Sequence, residues 1–172
     1  MIKIERLSKE NFNVNALDSY IRTQEVKKVY RKQGEEYVLV ECPYTEDWDI
    51  EKKREVARNI SGEDYITYLA LEDNIVVGFI GLKKKLVDVY MILDMMHVSR
   101  QCRGKGIGRQ LFDLGKAEAE KAGAKELYIS ACSSEETIAF YRAMGAELTK
   151  NPIKDMAEEE PYDLQMTCPV QF

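Results

Sequence analysis

The residue types able to do chemistry are concentrated in one short run, Arg100-Gln101-Cys102-Arg103-Gly104-Lys105-Gly106-Ile107-Gly108-Arg109. Three of the chain's ten glycines fall within residues 104–108, and Ser99–Phe112 holds four cations and no acid. Yet the whole chain carries 25 Lys and Arg against 30 Asp and Glu, a net charge of −5. Glycines let backbone N–H groups come close to a ligand, and a helix N-terminus adds positive potential. The run lies where a strand pattern ends and a helix pattern begins, so it reads as a phosphate cradle. A glycine-rich turn with solvated cations is the competing reading.

A P-loop would need Gly-x-x-x-x-Gly-Lys-Ser/Thr, which is absent. A Rossmann fingerprint, Gly-x-Gly-x-x-Gly, begins at Gly104-Lys105-Gly106 but meets Arg109 where its third glycine belongs. No acid closes the following strand, Ile129-Ser130-Ala131. By contrast, Arg103-Gly104-Lys105-Gly106-Ile107-Gly108 resembles the Arg/Gln-x-x-Gly-x-Gly/Ala motif of the GNAT superfamily of acyl-CoA-dependent N-acetyltransferases, and Gln101 begins a second, overlapping match. Met96-His97-Val98 resembles the strand that enters this loop in that family. Ser134 to Gly145 is similar to its next motif, Asn-x-x-Ala-x-x-x-Tyr-x-x-x-Gly. Tyr141 and Gly145 are in place, while Ser134 and Thr137 replace the usual Asn and Ala. The resemblance covers Tyr65–Gly145.

The resemblance implies a twisted mixed sheet whose strands Leu86–Val98 and Glu126–Ala131 part in a V, with acetyl-CoA as co-substrate lying in it. Its pyrophosphate would rest on the amides of Arg103, Gly104, Lys105, Gly106, Ile107 and Gly108, with Arg109 and Ser134 as further cofactor contacts. Its pantetheine would bond the backbone of Met96, His97 and Val98 like an added strand. The reaction implied is transfer of the acetyl group to a primary amine by direct attack in a ternary complex.

Such a transfer has three physical needs. A primary amine has a pKa of about 10 and must lose a proton before it attacks. The oxyanion needs a donor, for which the resemblance implies a backbone N–H near Met96–Val98. The departing thiolate needs a proton, and Tyr141 matches the family tyrosine that faces the sulfur; packing on the sheet is its alternative role. Asp94 is the candidate base, because a carboxylate in the otherwise apolar run Val89–Met96 is costly unless paired or functional. Its alternatives are a solvated sheet face or a basic neighbour. His97 is either a proton relay or a structural histidine. For the acceptor, Tyr30, Tyr44 and Trp48 together with Asp47 suit a small cationic amine. Acetylation of a protein N-terminus or lysine, and a non-catalytic acyl-CoA-binding regulatory module, are the other readings.

Elements must hold these groups in place. Ile2–Leu7 alternates as a strand. Asn11–Gln33 reads as helical from Leu17, Ile21, Val26, Val29 and Tyr30. Tyr37–Cys42 reads as a short strand and Asp49–Ile60 as a charged helix. Tyr65–Leu71 and Ile75–Leu82 form a hairpin about Glu72-Asp73-Asn74. Leu86–Val98 is a long strand-like stretch. Ile107, Leu111, Leu114 and Ala122 share a helical face that Gly123 ends. Glu126–Ala131 is a strand, and Ser133 with Glu136 forms a capping box opening a helix that ends at Gly145. Tyr162–Thr167 supplies a late strand. The expected class is α+β, one acetyltransferase domain over residues 1–172: acceptor-side helices in 1–62, the acetyl-CoA core in 65–145 and C-terminal strands in 146–172.

Composition narrows the function classes. Hydrophobic residues make up 45% and charged residues 32%, as in a folded globular chain. The acidic balance disfavours nucleic-acid binding. No run approaches 18 apolar residues, and Met1–Arg6 has no apolar core of a signal peptide, so no membrane association and a cytoplasmic location are expected. Cys42, Cys102, Cys132 and Cys168 lack paired spacing and read as reduced thiols, with no metal site. A homodimer is left open.

Overall fold

The computed structural model describes residues 1–171. The elements in chain order are β1 (Ile2–Arg6), β2 (Gln24–Gln33), β3 (Glu36–Glu46), α1 (Ile50–Ile60), β4 (Tyr65–Glu72), β5 (Ile75–Lys83), β6 (Tyr90–Val98), α2 (Ile107–Lys121), β7 (Glu126–Ala131), α3 (Glu135–Ala143), β8 (Glu147–Leu148), α4 (Lys154–Glu159) and β9 (Leu164–Pro169). Seven strands make one sheet in the order β1-β4-β5-β6-β7-β9-β8, and β2 with β3 makes a separate hairpin. Every neighbouring pair in the main sheet is antiparallel except β6 with β7. A parallel pair needs a crossover, which α2 supplies.

Each sheet face is covered by apolar side chains from a helix. On one side α2 contributes Ile107, Leu111, Phe112 and Ala119, packed with Ile80, Leu82, Met91, Leu93 and Leu127. On the other, α1 contributes Val56, Ala57 and Ile60, packed with Phe12, Leu17, Tyr20, Leu69 and Phe79. Asp49 caps α1 by accepting from the Lys52 amide at 2.8 Å. The mixed α+β sheet expected from sequence is therefore present, and Glu126–Ala131 is a strand with the expected bounds.

The first third differs from expectation. Residues 11–33 are not helical, and α1 is the sole helix of residues 1–62. Isolated turns carry the chain to Tyr20, with Asn11, Ala16, Asp18 and Tyr20 each bonding the carbonyl three residues back. β2 follows. Val26 and Val29 are both buried although an uninterrupted strand would put residues three apart on opposite faces. The pairing with β3 shifts register between Val26 and Lys28, where Cys42 and Pro43 stand opposite Lys27. Pro43, which has no N–H to give, suits that irregularity. The spacing of the two buried valines is also that of a helical face. The tail differs too: the short helix α4 precedes its strand.

The start of α3 is also corrected by one residue. Ser134 is the N-cap; its Oγ accepts from the Thr137 amide at 3.3 Å and donates to the Thr137 hydroxyl at 2.8 Å. Ser133 Oγ instead accepts from Arg31, and Glu136 is exposed. Ser134→Ala is therefore expected to lower stability in urea denaturation by about 1 kcal/mol, within the 0.5–2 kcal/mol range for lost N-caps. Glu136→Ala, which removes the acid of the capping box expected from sequence, should change it by under about 0.5 kcal/mol. The opposite ranking would restore Ser133 as the cap.

Candidate active site

The site begins where β6 leaves β7. Their register runs through Tyr90↔Glu126, Met91↔Leu127, Ile92↔Tyr128 and Leu93↔Ile129 and stops there. On the other edge of β6, Gly81 pairs Met95 while Leu82 pairs Leu93, so Asp94 is an extra residue in the ladder. A bulge bends its strand and raises the local twist. Past it, residues 94–98 have a strand neighbour only in β5, and Ser130 and Ala131 have one only in β9. The hairpin closes the far end of the fork. The Tyr30 amide donates to the Ser133 carbonyl at 2.8 Å, and Val29 bridges Ser134.

The glycine-rich loop follows β6 through one 3-10 turn at Arg100–Cys102. Gly106 is the N-cap of α2 at φ 80°, a left-handed conformation in which most side chains are strained. Gln110 makes the first bond of the helix, to the Gly106 carbonyl at 3.2 Å. The amides of Ile107, Gly108 and Arg109 are thus the unsatisfied N–H groups of a helix start. At Gly108 a Cβ would lie 3.0 Å from the Phe140 ring, so this glycine lets α3 pack against the loop. Arg100 faces Glu25 at 3.6 Å. Arg103 is tied to backbone carbonyls. Its Nε donates to the Val98 carbonyl at 3.1 Å and its Nη2 reaches the carbonyls of Arg22 and Thr23 at 3.3 and 3.2 Å. Lys105 and Arg109 are exposed and form no ion pair among the described residues.

One cleft with two arms runs through the fork. The larger, about 560 Å³, is bounded by Met96, Val98, Gly104, Gly106–Arg109, Phe140 and Tyr141. The smaller, about 240 Å³, is bounded by Arg22, Trp48, Phe79, Asp94, Met95, Ser130 and Cys132. Gln24, Met96, His97, Thr137 and Tyr141 face both. Tyr141 is buried, which pushes its phenol well above the ordinary value, with Cys132 and Asp163 adding to the shift. Asp94 accepts from the Tyr65 hydroxyl at 2.5 Å, and Lys83 Nζ is 4.0 Å away.

His97 is engaged at both nitrogens. Arg103 Nη2 lies 3.2 Å from Nε2 and the Tyr20 hydroxyl 2.7 Å from Nδ1. Arginine can only donate, so Nε2 accepts and the proton of the neutral ring sits on Nδ1. Burial, then the nearby cations Arg22 and Arg103, lower its pKa from 6.5 to about 2. The ring is thus held neutral near neutral pH with both nitrogens engaged, an arrangement that suits the structural reading of His97.

Of the residues singled out from sequence, Met96, His97, Val98, Arg103, Gly104, Gly106, Ile107, Gly108, Arg109 and Tyr141 come together in the larger arm, and Trp48 and Asp94 in the smaller. Lys105 lies on the loop outside the cleft lining. Ser134 is fully buried with its hydroxyl committed to the α3 cap. Tyr30 stacks under Arg142. Tyr44 lies beside Cys132, where burial first and that thiol second push its phenol up to about 12. Asp47 accepts from Thr23 and the Trp48 amide. These last three do not line the cleft, so the aromatic and acidic cluster expected for the acceptor reduces to Trp48. Sequence reasoning missed Arg22, Gln24 and Phe79, which no motif marks. Asp163 accepts from Ser130 Oγ at 2.9 Å, and burial pushes its carboxyl up to about 6.

The acetyltransferase (GNAT) family matches residues 21–146, more than half of the chain. A comparison with curated proteins finds no match. Among solved structures, nourseothricin acetyltransferase is similar at 20% identity and a TM-score of 0.74, with 99% of each chain covered. PaiA N-acetyltransferase from Thermoplasma acidophilum, solved with coenzyme A, is similar at 18% identity and 0.63, covering 98% of this chain and 99% of that one. The ribosomal-protein-S18-alanine N-acetyltransferase from Escherichia coli follows at 17% and 0.62, covering 100% and 96%. At these identities the structural likeness establishes the fold.

The buried histidine sets a pH dependence. Below an unfolded value of 6.5 the unfolded chain takes up a proton that folded His97 refuses down to about pH 2. Stability present above pH 6.5 is thus lost as pH falls, at up to about 1.4 kcal/mol per unit. Denaturation midpoints measured between about pH 7 and pH 5 should fall more steeply for the wild type than for His97→Gln. Equal slopes would mean that His97 titrates normally in the folded protein.

Proposed function

The chain belongs to the GNAT family of acetyltransferases, and from that membership we propose that it moves the acetyl group of acetyl-CoA to the primary amine of a small molecule, by direct attack with both substrates bound. The observation that carries this reading is the single cleft whose two arms meet at Met96 and Tyr141. One arm offers a diphosphate what it needs, three helix-start amides beside an exposed Arg109 and near Lys105. The open edge of β6 over residues 94–98 suits the amide groups of a pantetheine chain, which hydrogen-bond as an added strand would. The residues therefore fit acetyl-CoA as co-substrate. Arg103 holds the loop through its Nε and Nη2, which bond carbonyls and His97, and it also lines the larger arm.

In this reading, Tyr141 gives a proton to the departing sulfur. Its raised pKa keeps it protonated at neutral pH, as a donor must be. Asp94, held by Tyr65, draws the substrate's ammonium group and takes its proton directly or through water. The smaller arm is about 240 Å³, below the roughly 300–1,000 Å³ of sites for drug-sized ligands, which favours a small acceptor over a protein chain. The cation attraction first ascribed to Tyr30, Tyr44 and Asp47 falls to Asp94, with Trp48 as the aromatic wall.

Release of free thiol from acetyl-CoA, followed across a panel of primary amines, tests the reading. At least one small amine should give turnover. Tyr141→Phe should then lower kcat by about 10²–10⁴-fold, the usual worth of a general acid, with acetyl-CoA affinity nearly unchanged. Tight acetyl-CoA binding without turnover of any amine would favour the non-catalytic module. A wild-type rate in the Phe variant would reassign Tyr141 to packing.

A further inference from the structure

The acceptor arm holds a cation that the chain does not neutralise. Arg22 sits between the turns that end at Tyr20 and the start of β2, with its guanidinium 5.2 Å from the centre of the Trp48 ring. One amino group donates to Gln24 Oε1 at 3.2 Å. Its Nε is buried and has no hydrogen-bond partner. No carboxylate is within ion-pair distance of it among the described residues. Glu46 and Asp47 are near enough to be felt, yet burial outweighs them and lowers the guanidinium below its ordinary value. It remains a cation, because arginine is not deprotonated in proteins.

A desolvated charge with an idle donor is costly unless something pairs with it. Nearby Arg103 has Nε and Nη2 on the carbonyls of Arg22, Thr23 and Val98 and on His97, and it lines the larger arm rather than this one. His97 is neutral. That leaves Arg22 as the positive group of this arm with donors to offer. Asp94, on the bulge of β6, is the negative one, and both face the same cavity. Phe79, Met95 and Trp48 give the arm apolar walls. The guanidinium lies over Trp48, and a guanidinium offers a carboxylate two parallel donors.

We propose that Arg22 reads a carboxylate on the acceptor, and that the acceptor is accordingly a small zwitterionic amine of the amino-acid type rather than a polycation. The inference rests on the acetyl-transfer reading above and narrows its substrate class. The carboxylate engages Arg22, the ammonium group lies toward Asp94, and the apolar walls take the body of the molecule.

The test compares free amino acids, including β-alanine and γ-aminobutyrate, each with its carboxamide. Two readouts are used: thiol release from acetyl-CoA, and calorimetric binding to the CoA-loaded protein. The free acid is expected to surpass its amide by about tenfold or more in kcat/KM and in affinity, as a charged hydrogen-bonded pair would give. Arg22→Gln should erase that preference by raising KM for the acid alone, with acetyl-CoA affinity unchanged. Arg22→Lys, which keeps the charge but loses the fork, should retain part of it. Amines acetylated with no preference for the acid, or a preference that survives in Arg22→Gln, overturn the proposal and leave acetyl transfer standing. Acids that bind in an Arg22-dependent way without turnover uphold it and overturn the transferase reading. Failure of every acid to bind overturns the proposal even in a wild type that acetylates other amines.

Discussion

The parting of two parallel strands after Leu93 and Ile129 is the constraint on which the rest of the site depends. A strand edge without a neighbour exposes backbone groups that otherwise complete a ladder, and burying them unpaired is costly. Several features keep this edge from closing. The extra residue at Asp94 bends β6 away. Arg103 binds the carbonyl of Val98 at the end of the strand and ties it to the backbone of residues 22–23. The β2–β3 hairpin docks on Ser133 and Ser134 beyond β7. The gap is a built feature, and its open edge is a template for a ligand that bonds like backbone.

The arginine of the glycine motif has a structural meaning in that frame. A sequence reading counts it among four cations facing phosphate. In the fold it is a clamp that joins the loop, the end of β6 and the entry to the hairpin, and it fixes the His97 tautomer. In the proposed reading the helix-start amides and Arg109 face the phosphates, with Lys105 nearby. The same clamp holds the backbone of Arg22, so the loop that lines the larger arm also positions a residue of the smaller one.

What was legible in the sequence was local. The loop, α2 and the β4–β5 hairpin announce themselves by glycines, periodicity and turn residues at fixed offsets. The bulge was visible only as its consequence, a carboxylate misplaced in an apolar run. The β2–β3 hairpin reads as helix because Val26 and Val29, both buried, are spaced as on a helical face. Arg22 could not be found, because its solitude depends on which acids the fold keeps away from it. Tyr30, Tyr44 and Asp47 were singled out because they are close in sequence to Trp48 or alike in type. In the fold each has other partners.

Amide hydrogen exchange of the protein with and without acetyl-CoA tests the central claim most directly, since it reads the strand edge and the loop residue by residue. Binding should slow exchange along the free edge of residues 94–98 and at Ile107, Gly108 and Arg109, while the paired amides of β4 and β5 keep their rates. Protection confined to other surfaces, or none at the fork under saturating acetyl-CoA, would contradict the account.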